Sequence, residues 1–152
     1  MIKKIFPPTT KKEAFYTCSK FNKKIRDDTI NCINKYKDCD ELTISEKLNN
    51  LNYEWDTERV LETNAATVVF LSSVLGLCKR RYCCFLLTGI IGICLLNHAL
   101  FGWCPPLPII RKMGVRTAEE INNEKTVFKL IRGDFSQDTK NAAKLLNIAE
   151  KQ

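Results

Sequence analysis

Charge is distributed very unevenly along this chain. From Tyr82 to Ile110 there is no Lys, Arg, Asp or Glu, and Ala65 to Cys78 is equally free of charge. Between these runs stands Lys79-Arg80-Arg81. Two apolar runs joined by a short cationic turn predict a helical hairpin in a membrane. A soluble fold disperses charge along its amphipathic elements, whereas a membrane protein excludes it from the spans. The second run, Tyr82 to Trp103, has 22 residues, enough to cross a bilayer. The first has 14, which rise only about 21 Å as a helix against a hydrocarbon core of roughly 30 Å. Val60 and Leu61 extend it past Glu62 and Asn64, and either Glu62 and Asn64 are drawn into the interface, or the bilayer thins, or the hairpin does not cross fully. Pro105, Pro106 and Pro108 end the second span, because proline has no backbone donor.

Outside the hairpin the polar pattern has the period of amphipathic helices. Thr10-x-x-Glu13 has the form of a capping box, and Cys18, Phe21, Ile25, Thr29, Cys32 and Tyr36 recur in steps of three and four. This predicts a helix from about Lys11 to Tyr36. It either packs on its neighbours or lies on a membrane surface. Lys37 to Thr43 is a polar break. A second helix starts near Thr43 or Ser45 with Leu48, Leu51 and Trp55 on its apolar face. No breaker separates it from Leu75, so it is expected to run on into the first span, with Trp55 at the interface that indole favours. After Gly114, Thr117-x-x-Glu120 is a further capping box. It opens a helix with Ile121, Phe128 and Ile131 on one side and Gly133 as the C′ residue. A last short helix from Asp138 carries Leu145, Leu146 and Ala149. The expected fold is all-α, a two-helix transmembrane hairpin with flanking amphipathic helices. Residues 1–42 hold the N-terminal helix and polar break, 43–110 the helix leading into the hairpin, and 111–152 a helical tail.

Composition changes this picture little. The mean hydropathy of −0.20 conceals the segregation. The net charge of +7 comes from Lys interspersed with Asp and Glu. With no zinc-finger spacing or RNP-like aromatic motif, nucleic acid is not expected as a partner, and anionic lipid fits better beside a hydrophobic span. The eight cysteines form no C-x-x-C pair, and a disulfide framework is not expected. Met1-Ile-Lys-Lys-Ile-Phe6 is too short before Pro7-Pro8 for the apolar region of a cleavable signal peptide. The stretch to Lys12 is basic and acid-free but lacks the Arg and Ser enrichment of a mitochondrial presequence. Near the spans, Lys47, Arg59, Arg111, Lys112 and Arg116 outnumber Lys79, Arg80 and Arg81, which favours cytoplasmic termini.

Small residues mark candidate contact faces, because helices in lipid associate by close packing. They are Ser72-x-x-x-Gly76 in the first span and Thr88-x-x-x-Gly92, with Gly89 and Ala99, in the second. His98, the single histidine, stands one helical turn after Cys94 and makes a candidate intramembrane polar site. The pair offers two ligands and no third is evident, so neither metal nor cofactor is expected. Cys78, Cys83 and Cys84 beside the basic turn read as small apolar filler in preference to acylation sites. Cys104 is the most distinctive position. Gly102-Trp103-Cys104-Pro105-Pro106 puts a thiol at a span end, either reachable from water or buried in a structural stop. No nucleophile and base stand together in a recognisable motif, so the chain is not expected to be an enzyme.

The run His98-Ala-Leu-Phe-Gly-Trp-Cys-Pro-Pro-Leu-Pro resembles the YgaP-like inner-membrane hairpin family. Its two-helix membrane domain closes on a Gly-x-Cys-Pro segment. Met113-Gly-Val-Arg-Thr-Ala-Glu-Glu-Ile, Val127-Phe-Lys-Leu-Ile-Arg-Gly-Asp-Phe and Glu54-Trp-Asp-Thr-Glu-Arg-Val-Leu-Glu-Thr-Asn-Ala-Ala look like a bacterial subgroup of it. The resemblance covers roughly Leu42 to Phe135. It implies a bacterial inner membrane location, or the mitochondrial inner membrane in a eukaryote. Some relatives join the hairpin to a rhodanese domain, which is not expected in this sequence, and in them the hairpin dimerises and has been linked to moving sulfur species. The family cysteine falls on Cys104. The resulting expectation is a non-enzymatic module that forms a homo-oligomer or joins a larger membrane complex. The alternatives are a relay of small sulfur species through Cys104 and a lipid-surface binding protein.

Overall fold

The computed structural model describes residues 7–135 and the single position 146. The short helix expected from Asp138 lies outside these residues, apart from the exposed Leu146. Among the described residues all regular structure is helical. The order is a 3₁₀ turn at Thr9–Lys11, α1 (Lys12–Phe15), α2 (Ser19–Tyr36), α3 (Glu41–Asn52), α4 (Thr57–Lys79), α5 (Tyr82–Phe101), α6 (Leu107–Lys112) and α7 (Ala118–Arg132). The chain divides into two compact units. One holds the described residues of Met1–Lys24 with Trp55–Ala118, and the other Ile25–Glu54 with the described residues of Glu119–Gln152.

The first unit is built on the hairpin. Both α4 and α5 are long and apolar enough to cross a membrane. Phe70, Leu71, Leu77, Leu86, Ile90, Ile93 and Leu96 are exposed along them. Such an apolar exterior is stable against hydrocarbon and costly against water. The helices pair antiparallel through small residues. The Ser72 and Thr88 hydroxyls share a hydrogen bond of 2.7 Å, and Gly76 lets Phe85 and Cys84 approach so closely that a Cβ there would lie 3.0 Å from the Phe85 ring. Arg80 reverses the chain in the left-handed region at φ 48°, a conformation that costs roughly 1 kcal/mol outside glycine.

At the other end α4 and α5 receive the rest of the unit. Asp56 caps α4, its carboxylate accepting from the Arg59 N–H at 2.8 Å. The Thr57 N–H and hydroxyl both donate to the Arg116 carbonyl, at 2.8 and 2.9 Å. Gly102 ends α5 at φ 80°, its N–H returning to the His98 carbonyl at 2.7 Å. The chain then turns through Cys104-Pro105-Pro106 into α6. Leu107 and Ile110 bury against Leu61 and Cys104, with Val60, Leu95 and Val115 around them.

Two helices expected as continuous are broken. The Lys11–Tyr36 helix is interrupted at Tyr16-Thr17-Cys18, and Thr10 does not cap it. Glu13, which would have completed the capping box, is instead buried. The Thr17 hydroxyl bonds back to the Glu13 carbonyl at 2.7 Å, and α2 restarts on the Cys18 carbonyl. The helix expected from Thr43 into the first span stops at Asn52, because Asp56 caps a new one. Trp55 lies in the gap, with the Arg59 guanidinium 4.6 Å above its ring.

In the second unit Ile44, Leu48 and Leu51 of α3 pack against Ile121 and Phe128 of α7, with Ile33 and Tyr36 alongside. The rings of Tyr36 and Phe128 meet edge to face at 6.3 Å. Asp40 caps α3 at the Thr43 N–H, and α7 begins directly after Thr117. Ile131 is not on the buried face of α7. It is 37% exposed, and Glu124, one turn after Ile121, takes the buried position beside Lys47 at 4.0 Å.

A Cβ at Gly102 would meet the Lys12 backbone at 2.7 Å as well as demand a left-handed φ. Gly102→Ala should therefore destabilise the protein by about 2 kcal/mol or more. Thermal unfolding in detergent checks this, with Gly114→Ala as the control. Gly114 shares the positive φ but has no atom within 4 Å of a Cβ.

Candidate functional site at the terminal end of the hairpin

The chemistry-bearing side chains of the first unit gather where α4 begins and α5 ends. Two neighbourhoods result. The first is an apolar groove of about 350 Å³ between α4, α5 and α6, lined by residues including Leu61, Val68, Cys94, Leu95, Cys104 and Ile110. Cys104 is 1% exposed. Of the two expectations for this thiol, reachable from water or buried, the structure has it buried. Burial pushes its pKa up, and the Leu107 N–H opposes this only in part. A thiol so placed stays protonated at neutral pH and is a weak nucleophile.

The second neighbourhood surrounds His98 in the last turn of α5. The structure does not join His98 to Cys94, which lines the groove. It joins His98 to Glu13 of α1 and Glu58 in the first turn of α4, with one ligand atom from each within 4.8 Å of the others. Glu13 and His98 are 4% and 6% exposed. Among the described residues the Glu13 Oε1 and both ring nitrogens of His98 have no hydrogen-bond partner. Lys12 supplies the local cation, its Nζ 3.0 Å from the Glu58 carboxylate and 3.9 Å from that of Glu13. Burial, then the facing Glu58 carboxylate, raise the Glu13 pKa to about 7. The Lys12 ammonium lowers that of Glu58.

Three contacts fix α1 over this end. The Lys12 side chain and backbone sit against Gly102. The Asn22 amide donates to the Ala14 carbonyl at 2.8 Å. Its oxygen accepts from the buried Arg111 guanidinium at 2.8 Å, which also donates to the Val115 carbonyl at 2.9 Å.

The small residues marked by the sequence fall on different sides. Ser72, Gly76 and Thr88 meet inside the hairpin. Gly89, Gly92 and Ala99 are exposed on α5, and nothing lies within 4 Å of a Cβ at either glycine. Cys78 and Cys83 are exposed by the basic turn and Cys84 is half-buried. Glu13, Glu58 and Lys12 were not identified from sequence as site residues. The one available signal was an acidic residue in the first turn of a helix beside apolar positions, which capping explains equally well.

The ionisation of Glu13 sets a pH dependence. Its folded pKa of about 7 lies above the ordinary glutamate value of 4.5, so between these values the folded state holds a proton that the unfolded chain releases. Its contribution is fully present below pH 4.5 and is lost as the pH rises through 7. Glu58 runs the other way, stabilising at neutral pH and losing its contribution as the pH falls through its folded value. Glu13→Gln should exceed the parent in stability by about 1–2 kcal/mol at pH 8, the difference vanishing near pH 5. A series of melting curves in chelator-treated detergent solution reads this out, and parallel curves for the two proteins would contradict it.

Residues 56–120 match the family described as inner membrane protein YgaP-like, transmembrane domain. The match spans both hairpin helices, the Cys104 turn and α6. No curated protein and no solved structure matches the chain.

Proposed function

Because residues 56–120 match the YgaP-like inner-membrane transmembrane domain, we propose that the protein is a non-enzymatic membrane module that self-associates through α5, with both termini in the cytoplasm. One observation carries this reading. Gly89, Gly92 and Ala99 are small and exposed on one flank of a membrane helix and are not used by the hairpin. Association in lipid depends on close backbone approach, which such residues permit. A larger membrane complex built on the same flank is the variant of this reading in which the partner is another protein. Gly92→Leu should lower the apparent association constant roughly tenfold while leaving the unfolding of the monomeric hairpin unchanged. Gly76→Leu should do the reverse, since its side chain would press on Phe85 and Cys84. Crosslinking in native membranes, paired with melting curves, separates the two. Crosslinking indifferent to Gly92→Leu would assign the flank to lipid.

A second reading is favoured by a specific feature. Cys94 and Cys104 line one apolar groove, a setting that a small neutral sulfur species could enter. As a relay, Cys104 would take the outer sulfur of a small hydrogen polysulfide, whose S–S bond breaks as hydrogen sulfide leaves, and Cys104→Ala would abolish this without affecting insertion. Under the module reading Cys104→Ala leaves association unchanged, because the buried thiol acts only as a small apolar side chain. That silence is the expected result, and labelling with a persulfide-selective reagent after exposure to hydrogen polysulfide is the assay. A signal confined to Cys104 would favour the relay.

A further inference from the structure

The cluster of Glu13, Glu58 and His98 has a composition and geometry that neither of these readings uses. We propose that these three side chains bind one divalent transition-metal ion, of the zinc or iron(II) class, and that the ion fastens α1 to the terminal end of the hairpin. The inference rests on one chain's own residues and is independent of how the flank of α5 is used.

Three observations converge. The ligands come from three separate elements, yet one donor atom of each lies within 4.8 Å of the others. Zinc bonds to imidazole nitrogen and carboxylate oxygen are about 2.0–2.2 Å, which puts tetrahedral ligand atoms about 3.3 Å apart. Small rotations of two glutamate side chains close that difference. Secondly, Glu13 and His98 are more than nine-tenths buried, and the Glu13 Oε1 and both His98 nitrogens have no hydrogen-bond partner among the described residues. Buried polar atoms of this kind are rare, because each lost partner costs free energy that folding does not recover. A cation between them satisfies a carboxylate oxygen and an imidazole nitrogen together.

Thirdly, the charge balances. Two carboxylates and a neutral imidazole carry a charge of about −2, which a divalent ion neutralises. In the metal-free protein the Lys12 ammonium, 3.0 Å from Glu58, partly fills that role. Lys12 is thus the ion's competitor, and its long side chain can withdraw toward solvent. Three protein ligands leave a fourth position for water, as in open zinc sites. Imidazole with two carboxylates favours zinc, iron(II) or manganese over copper(I), which prefers thiolate.

The test uses the full chain, purified in detergent, stripped with chelator and titrated with Co²⁺ and with Zn²⁺. One equivalent should bind and raise Tm. The Co²⁺ spectrum should show ligand-field bands without the thiolate charge-transfer band that the cysteines would produce. His98→Ala, Glu13→Gln and Glu58→Gln should each weaken binding roughly 100-fold. Lys12→Met should strengthen it, a change that a purely ion-paired cluster has no means to produce. The melting curve of each metal-free variant reports whether it has folded, and Glu13→Gln and Lys12→Met keep the test decisive should His98→Ala fail to fold. Absence of binding, a thiolate band, or binding unchanged by Glu13→Gln and Lys12→Met would overturn the proposal.

Discussion

In hydrocarbon a peptide group has no water to bond with, so every backbone donor and acceptor at that depth must find its partner within the chain. Helices α4 and α5 meet the demand internally, and the burden falls on their ends. At the beginning of α4 the Asp56 carboxylate takes one donor and the Arg116 carbonyl takes another. At the end of α5 the Gly102 N–H returns to His98, and the Asn97 amide donates to the Trp103 carbonyl at 2.7 Å. Closing a hairpin in lipid therefore concentrates polar groups at one level of the unit. The buried carboxylate, imidazole and guanidinium groups are found there, and the bare apolar surface is elsewhere.

Gly102 couples this end to the N-terminal segment. It supplies the left-handed φ that stops α5, and its missing side chain leaves the space in which Lys12 lies. The position of Lys12 places Glu13, the next residue, against Glu58 and His98. Asn22 repeats the device further along, holding the Ala14 carbonyl with one end of its amide and Arg111 with the other. A buried charge is tolerable only where partners meet it. Lys12 and Asn22 are partners of that kind, so the break after α1 follows from the need to deliver them.

The hairpin was legible in the sequence because exclusion of charge is a long signal, carried by every position of both runs. Gly133, at φ 84° just beyond α7, and the start of α7 after Thr117 were legible for a local reason, since helix ends are read from one or two residues. The breaks at Tyr16-Thr17-Cys18 and at Tyr53–Asp56 were not. Thr10-x-x-Glu13 satisfies the capping pattern, and only the tertiary placement of Glu13 overrides it. Asp56 is a good N-cap, but an apolar-periodic helix before it and another after it conceal the stop. Glu124 and Ile131 of α7 show the same limit. Periodicity alone admits either as the inward residue after Ile121, and Lys47 across the unit decides for the carboxylate. The Glu13, Glu58 and His98 cluster joins positions far apart in sequence, so no spacing rule could reveal it.

The geometry of α5 decides whether the two readings of the membrane domain exclude one another. At about 100° per residue, Cys84, Thr88, Ile91, Leu95 and His98 centre on the side that faces α4 or is otherwise buried. Gly89, Gly92 and Ala99 lie about 60–140° round the helix on one flank, with exposed Phe85 and Leu96 among them. Cys94 lies about 80° round in the opposite sense, in the groove that α6 completes. A second copy packed on the glycine flank would leave that groove open, and a small molecule in the groove would leave the flank free. The proposed self-association and the proposed sulfur relay would thus use different sides of one helix. A variant on either side reports on its own function without disturbing the other, provided Ser72, Gly76 and Thr88 still hold the hairpin together.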